Sequence, residues 1–83
     1  MRLLYFAWVR ERIGAAEETI EPPATVETVG DLLRWLRTRG DAYEQALTDP
    51  TAVRVALDQF HAEHDASIAG VREVALFPPM TGG

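Results

Sequence analysis

Four segments of the chain carry the composition or the two-residue alternation of β-strands. The first, "RLLYFAWV" at 2–9, is aromatic and β-branched and is apolar on both faces. A second lies at 17–22, a third at 52–59 alternates apolar and polar positions, and the last spans 72–79. Gly14 predicts a turn between the first two strands. The pattern leaves the stretch "FHAEHDASI" open as a weak edge strand or a turn.

A long helix is predicted over 28–40. Thr28 fits the N-cap, and Asp31 places a negative charge in the first turn, where it suits the helix dipole. Gly40 fits a left-handed stop after the last turn. Four apolar side chains fall at the i, i+3, i+4 and i+7 spacing of one buried stripe: Val29, Leu32, Leu33 and Leu36. A shorter helix is predicted to follow over 41–49.

The order strand, strand, helix, strand, strand predicts an α+β fold, in which a mixed sheet packs on one main helix as in β-grasp domains. In that arrangement the first and last strands are parallel neighbours at the centre of the sheet. Leu4, Phe6 and Phe77 are then expected to form one apolar patch on the face away from the helix. The predicted domain spans 1–77, and residues 78–83 form a flexible, extended C-terminal tail.

Composition and charge narrow the classes of function. The 83 residues suffice for one domain, and their 47% apolar and 25% charged content is that of a globular protein. Cysteine is absent, which excludes thiol nucleophiles and thiolate-bound metals. The net charge of −5 argues against nucleic acid as a partner and favours a basic protein surface. Without an apolar run of about 20 residues or a signal peptide, we expect a cytoplasmic protein with no membrane span.

Side-chain chemistry offers little for catalysis. His61 and His64 share a face only if their segment is helical, so we interpret them as surface residues rather than metal ligands. Ser67 is the only serine and is not in the setting of a nucleophile, and the scattered glycines form no phosphate-binding loop. We therefore expect no bound metal or cofactor, and no catalysis by the isolated chain.

The final segment, "LFPPMTGG" at 76–83, is of a different kind. Pro78 and Pro79 favour an extended course away from the domain, whereas Gly82 and Gly83 form a slim end that a narrow active site can admit. A carboxylate becomes a good electrophile once it is esterified to a leaving group such as AMP. The residues alone leave two interpretations open: a frayed terminus, or a terminal carboxylate of Gly83 that undergoes chemistry.

Two segments of the chain resemble one known family, the small sulfur carrier subunits of molybdopterin synthase. "LLYFAWVRERIG" at 3–14 resembles that family's opening strand, and "EVALFPPMTGG" at 73–83 resembles its last strand, Pro-Pro pair and terminal diglycine. The resemblance implies a ubiquitin-like β-grasp fold. It also implies that an ATP-dependent enzyme adenylates Gly83 and that a sulfur donor then converts it to a thiocarboxylate. Asp58, where the family has Asn, and "GVR" at 70–72, in place of an acidic turn, depart from the family pattern.

The same resemblance implies how the carrier is used. The tail enters the active site of the large synthase subunit, within a heterotetramer, and gives sulfur to precursor Z, a cyclic pyranopterin monophosphate. Phe6 and Phe77, with Leu4 in the same patch and Arg10, are the expected contacts with the large subunit. The tail residues implied in this contact are Pro78, Pro79, Met80, Thr81, Gly82 and Gly83.

Two other functions share the diglycine chemistry. A sulfur carrier of the thiamine pathway has the same fold and tail, although the Pro-Pro pair and the aromatic opening strand favour the molybdopterin family. A ubiquitin-like modifier joins its terminal glycine to lysine side chains of target proteins. Both remain alternatives at the level of the sequence.

Overall fold

In the computed structural model, which describes residues 1–79, five strands form one mixed sheet and three α-helices pack against it. In chain order the elements are β1 (Arg2–Tyr5), α1 (Ala7–Ile13), β2 (Glu17–Thr19), α2 (Val29–Arg37), α3 (Asp41–Ala46), β3 (Arg54–Leu57), β4 (Phe60–Ala62) and β5 (Glu73–Phe77). The strand order is β2-β1-β5-β3-β4, with β1 and β5 parallel and the other pairs antiparallel. The predicted α+β fold, with a parallel pair of first and last strands at its centre, is confirmed.

The predicted first strand is wrong beyond Tyr5. Phe6 is still extended, but Ala7 has a left-handed φ of 54° and turns the chain into α1. Gly14, at φ 89°, caps the C-terminal end of this helix. Val9 is fully buried in the core, so the apolar residues that suggested a strand serve a helix instead. The structure therefore has one helix, α1, that the sequence did not predict.

The main helix, α2, begins as the sequence predicts. The backbone N–H of Asp31 donates to the Thr28 hydroxyl at 3.1 Å, and the Asp31 carboxylate accepts from the Thr28 N–H at 3.2 Å. The predicted apolar stripe is buried: Val29, Leu32, Leu33 and Leu36. The predicted end of the helix at Gly40 is wrong, because α2 ends at Arg37. The hydroxyl of the next residue, Thr38, donates to the Trp35 carbonyl in the last turn. Gly40 instead precedes α3, the predicted second helix.

The third strand and the stretch that the sequence left open form a hairpin. β3 and β4 are joined by Asp58 and Gln59, whose φ angles of 49° and 75° are those of a two-residue type I′ turn. The Asp58 carboxylate accepts hydrogen bonds from the backbone N–H groups of Arg72, at 3.1 Å, and Glu73, at 3.0 Å. Asp58 therefore ties the hairpin turn to the start of β5.

The core lies between the inner face of the sheet and the helices. Along β5, Val74 and Leu76 are buried whereas Ala75 and Phe77 are only half-buried, so the predicted alternation of this strand is confirmed. The buried apolar residues are Leu3, Tyr5, Val9, Ile20, Val29, Leu32, Leu33, Leu36, Ala46, Leu47, Val53, Val55, Ile68, Val74 and Leu76. Each large side chain among them contributes about 1.5–3 kcal/mol through burial. Over residues 1–79, no helix has both the length and the apolar composition that crossing a bilayer requires.

A polar cluster around Glu18 joins the sheet to the helical layer. The hydroxyl groups of Tyr5 and Tyr43 both donate to one Glu18 carboxylate oxygen at 2.7 Å, and the Arg39 guanidinium donates to the other at 2.9 Å. Burial raises the pKa of Glu18, but the hydrogen bonds from the three donors outweigh it, so the net pKa is lowered. Burial, followed by the bond to Glu18, raises the pKa of Tyr5. The cluster thus contains an ionised carboxylate with two neutral tyrosines at physiological pH.

Candidate functional site

The carboxyl ends of β1 and β5 meet at one edge of the sheet, because the two strands are parallel neighbours. Their register pairs Leu4 with Ala75, and the Phe6 N–H continues the ladder by donating to the Leu76 carbonyl at 3.0 Å. The next pair along the strands is therefore Phe6 and Phe77. Side-chain alternation places both rings, with Leu4, on the outer face of the sheet, the face away from the helices. The sequence predicted this grouping, and the structure has it.

The backbone of Phe6 is held at both ends while its ring is exposed. Its carbonyl accepts from the N–H groups of Val9 and Arg10, at 3.2 and 3.4 Å, in the first turn of α1. Ala7 beside it is left-handed, which costs an alanine about 1–2 kcal/mol. The Phe6 side chain is nevertheless 47% exposed. A large apolar ring is thus presented to solvent on a fixed, locally strained backbone, a combination that is common at binding sites.

The apolar patch continues to the base of the tail. Ala56 and Ala75 are opposite each other in the pairing of β3 with β5, and their small side chains leave the middle of the outer face flat. Phe77 ends β5, and Pro78 and Pro79 follow it directly, both half-buried. Pro78 and Pro79 therefore lie next to the patch. The remaining predicted tail residues lie outside the described part of the chain: Met80, Thr81, Gly82 and Gly83.

Two cations border the patch at its tail end. Arg10 is exposed at the middle of α1, with its backbone nitrogen 3.4 Å from the Phe6 carbonyl oxygen, and Arg54 is exposed at the start of β3, opposite Phe77 in the strand register. At the other end of the outer face, the Arg2 guanidinium lies 3.1 Å from a Glu17 carboxylate oxygen. The sequence did not predict Arg54 as a contact residue, because its position beside Phe77 depends on the register between two strands that are distant along the chain.

The two histidines have separate surroundings. His64 Nε2 lies 3.1 Å from the carbonyl oxygen of Val53, and since that oxygen only accepts, the imidazole donates. His61 lies on β4 with its Nε2 3.7 Å from a Glu63 carboxylate oxygen. In the part of the chain that the structure describes, no group of three or more His, Cys, Asp or Glu side chains is placed to hold a metal ion. The Ser67 hydroxyl oxygen accepts a local hydrogen bond from the backbone N–H of Ala69 at 3.1 Å.

Comparison with known proteins gives a family and full-length relatives. Residues 3–83 match the ThiS family. The chain is 34% identical over 83 residues to the molybdopterin synthase sulfur carrier subunit of Escherichia coli (strain K12), covering 100% of this chain and 99% of that protein. It is 33% identical over 84 residues to the protein of the same name from Haemophilus influenzae, with 100% and 99% covered.

Solved structures extend the similarity to the fold. SAMP1 from Haloferax volcanii superposes with a TM-score of 0.76 at 27% identity, covering 100% of this chain and 98% of that one. A putative molybdopterin converting factor, subunit 1, from Pyrococcus furiosus shares the fold with a TM-score of 0.65 at 22% identity, covering 95% of each chain. Since both the family match and the relatives extend over nearly the whole sequence, the chain belongs to the ThiS family.

Proposed function

We propose that the chain is the sulfur carrier subunit of a molybdopterin synthase and that it works in the cytoplasm. The observation that carries the proposal is the full-length similarity to two proteins of that name, at 34% and 33% identity. The structure supports it, because Pro78 and Pro79 start the tail beside the apolar patch that contains Phe6 and Phe77. A docking surface and a reactive end are what a carrier requires.

The proposed chemistry takes place at the terminal carboxylate of Gly83. A carboxylate oxygen attacks the α-phosphorus of ATP on an adenylating enzyme, and pyrophosphate leaves. A hydrosulfide ion released by the sulfur donor then attacks the carbonyl carbon of the acyl-adenylate; the bond to AMP breaks, a proton is lost, and a thiocarboxylate remains. Gly82 and Gly83 carry no side chain beyond hydrogen, so they fit the narrow channel that each enzyme needs to reach this carbon. The chain itself binds neither ATP nor a metal in this scheme.

The proposed acceptor complex is formed with the large synthase subunit. Phe6, Phe77 and Leu4 dock on that subunit with Arg10 beside them, and two such carriers bind one dimer of large subunits. The tail from Pro78 onward enters the large subunit's active site, where the thiocarboxylate gives its sulfur to precursor Z. Burial of exposed aromatic rings at the centre of such a contact is a usual source of affinity between proteins.

Intact-mass spectrometry tests the proposal. After incubation with the adenylating enzyme, ATP and a sulfur donor, the chain is expected to gain the mass difference between one sulfur and one oxygen atom, located at Gly83. Without ATP the mass stays unchanged, because the acyl-adenylate cannot form. Deleting Gly83 is expected to abolish both the mass gain and molybdopterin synthesis without lowering the melting temperature. If the truncated chain still supports molybdopterin synthesis, the proposal is wrong.

A protein modifier is the second candidate function, favoured by the TM-score of 0.76 to SAMP1 and by a TM-score of 0.64, at 24% identity, to the Haloferax volcanii small archaeal modifier protein 1. In this function the adenylated Gly83 is attacked by a lysine amine of a target protein and AMP leaves. Higher-mass species that contain this chain in cell extract, and that disappear when Gly83 is deleted, would support it.

Rescue of a thiamine-requiring strain alone would instead support the thiamine-pathway carrier.

A further inference from the structure

The arginines of the chain divide into paired and unpaired groups. All eight basic residues are arginine. Four of them lie against carboxylates: Arg2 with Glu17, Arg34 with Asp31, Arg37 with Glu44 and Arg39 with Glu18. Arg12 lies over the Trp8 ring, 4.8 Å from its centroid. Within residues 1–79 the guanidinium groups of Arg10, Arg54 and Arg72 make no ion pair, and two of these three border the apolar patch.

Arg54 has the better-defined position of those two. Its neighbours Val53 and Val55 are buried against the helices, so alternation along the strand turns Arg54 to the outer face. The register of β3 with β5 places it directly opposite Phe77, the last residue before the tail. Directly opposed residues in a sheet have Cβ atoms about 4.5–5.5 Å apart. A protein surface that covers Phe77 therefore also covers Arg54.

We infer that Arg54 is a specificity-determining contact, and that it pairs with a carboxylate on the docking surface of the large synthase subunit. The inference rests on the proposed function. A guanidinium that loses water without gaining an acceptor opposes binding strongly, whereas a planar carboxylate accepts two of its hydrogen bonds at once. Because the chain supplies no such acceptor within residues 1–79, the partner has to supply it. A partner with a neutral or basic group at this point is rejected.

The local charge differs in sign from the charge of the whole chain. A net charge of −5 favours a basic partner surface when it is treated as uniform. At the tail end of the outer face, however, the exposed Arg54 lies directly opposite Phe77 in the strand register, and the exposed Arg10 donates its backbone N–H to the Phe6 carbonyl. Screening limits the reach of a charge to about 8–10 Å at physiological ionic strength, so these nearby cations, and not the distant carboxylates, decide the fit of a docked surface. We expect the large subunit to place acidic side chains around the pocket that receives Phe77.

Association kinetics with the purified large synthase subunit test the inference. At about 0.01 M ionic strength, where the Debye length is about 30 Å, Arg54→Glu is expected to slow association by about tenfold and to raise Kd at least as much. At about 1 M, where the Debye length is about 3 Å, the difference in association rate narrows to about twofold. Arg54→Lys keeps the charge, so its association rate is expected to stay within about twofold of that of the unmodified chain, whereas its Kd is expected to rise by about threefold to tenfold, because Lys cannot donate two parallel hydrogen bonds to one carboxylate.

Arg34→Glu is the matched control. It changes the net charge by the same amount as Arg54→Glu, but it lies on α2, on the opposite side of the sheet, and is expected to change association by less than twofold. The inference about Arg54 is wrong if Arg54→Glu and the unmodified chain both melt normally and have the same association rate and the same salt dependence. That result would leave the proposed function standing. Equal effects of the two reversals would overturn the inference about Arg54 too, because net charge would explain them. If the unmodified chain does not bind the large subunit at all, the proposed function fails with it.

Discussion

Replacing Glu18 with Gln removes the charge at the centre of the polar cluster while keeping the length of the side chain. The carboxylate accepts from Tyr5 and Tyr43 at 2.7 Å and from Arg39 at 2.9 Å, so side chains from the sheet and from the helical layer all depend on it. In Gln, one acceptor oxygen becomes an NH₂ donor. Because both tyrosine hydroxyls donate to the same oxygen, the Gln carbonyl oxygen still accepts from them, but as a neutral acceptor, and Tyr5 is only 1% exposed to water. The NH₂ group then faces the Arg39 guanidinium, which can only donate.

The expected cost is about 2–3 kcal/mol at neutral pH. Hydrogen bonds to a charged group contribute about 1.5–3 kcal/mol each and neutral ones about 0.5–1.5, so each tyrosine bond weakens by about 1 kcal/mol or more. The Arg39 bond adds less, because that side chain is 31% exposed and its ion pair is partly screened. For a domain of this size, each kcal/mol lowers the melting temperature by roughly 4–8 °C, so a decrease of roughly 8–24 °C is expected.

The same substitution should also remove part of the pH dependence of stability. Burial raises the pKa of Glu18, but the three donors outweigh it and the folded-state pKa is lowered. A carboxyl group with a lowered pKa stabilises the fold above its unfolded pKa, about 4.3, and this contribution is lost as pH falls through the folded value. The difference in free energy of unfolding between the unmodified chain and Glu18→Gln is therefore expected to be largest at neutral pH and to decrease below about pH 4.

Urea unfolding followed by tryptophan fluorescence measures both effects, at neutral pH and at about pH 3. Glu17→Gln is the matched control, because Glu17 is the neighbouring residue on β2 and is exposed, with its ion pair to Arg2 in solvent. It is expected to change the free energy of unfolding by less than about 0.5 kcal/mol. The reasoning is refuted if Glu18→Gln stays within about 0.5 kcal/mol of the unmodified chain at neutral pH, or if its deficit is the same at both pH values.

Two further substitutions test the hairpin and the docking patch. Gln59→Gly is expected to raise the free energy of unfolding by about 1 kcal/mol, because φ at this position is 75° and glycine adopts that angle without strain; a loss of stability in thermal melts would contradict this. Phe6→Ala is expected to weaken binding to the large synthase subunit by more than about tenfold, as titration calorimetry would measure, with little effect on melting. Phe60→Ala is its control, since Phe60 is 77% exposed but lies on the edge strand away from the tail, and similar losses for both variants would rule out a special role for Phe6.

Local sequence patterns were sufficient to predict those features whose interacting residues are close together along the chain. The capping residues Thr28 and Asp31 are three positions apart, and the buried stripe of α2 repeats within two turns, so both could be predicted. The alternation of Val74 and Leu76 with Phe77 likewise follows from the two-residue period of one strand. The diglycine tail was also found at this level, as a chemical candidate, although its proposed role lies outside the residues that the structure describes.

Local composition misled the prediction around α1. Trp8 and Val9 favour a strand by intrinsic preference, but the helix that contains them is stabilised by contacts with α3 and the sheet, which lie far along the chain. One local signal was present: Arg10 and Arg12 followed by Gly14 are typical of the last turn and end of a helix. The turn before α1 depends on Ala7 at a φ of 54°, a conformation that is unusual for alanine and that no sequence pattern predicts.

The sequence by itself determined that this chain forms an α+β domain with a strand, a Pro-Pro pair and a diglycine at its end. Only the tertiary structure decided which surface accompanies that end. Phe6 and Phe77 are neighbours because β1 and β5 pair in one register, and Arg54 joins them because β3 pairs with β5 in another. A shift of either register by one residue would turn these side chains to the opposite face. Register is set by the fit of the whole core, a property of distant residues acting together that no local pattern contains.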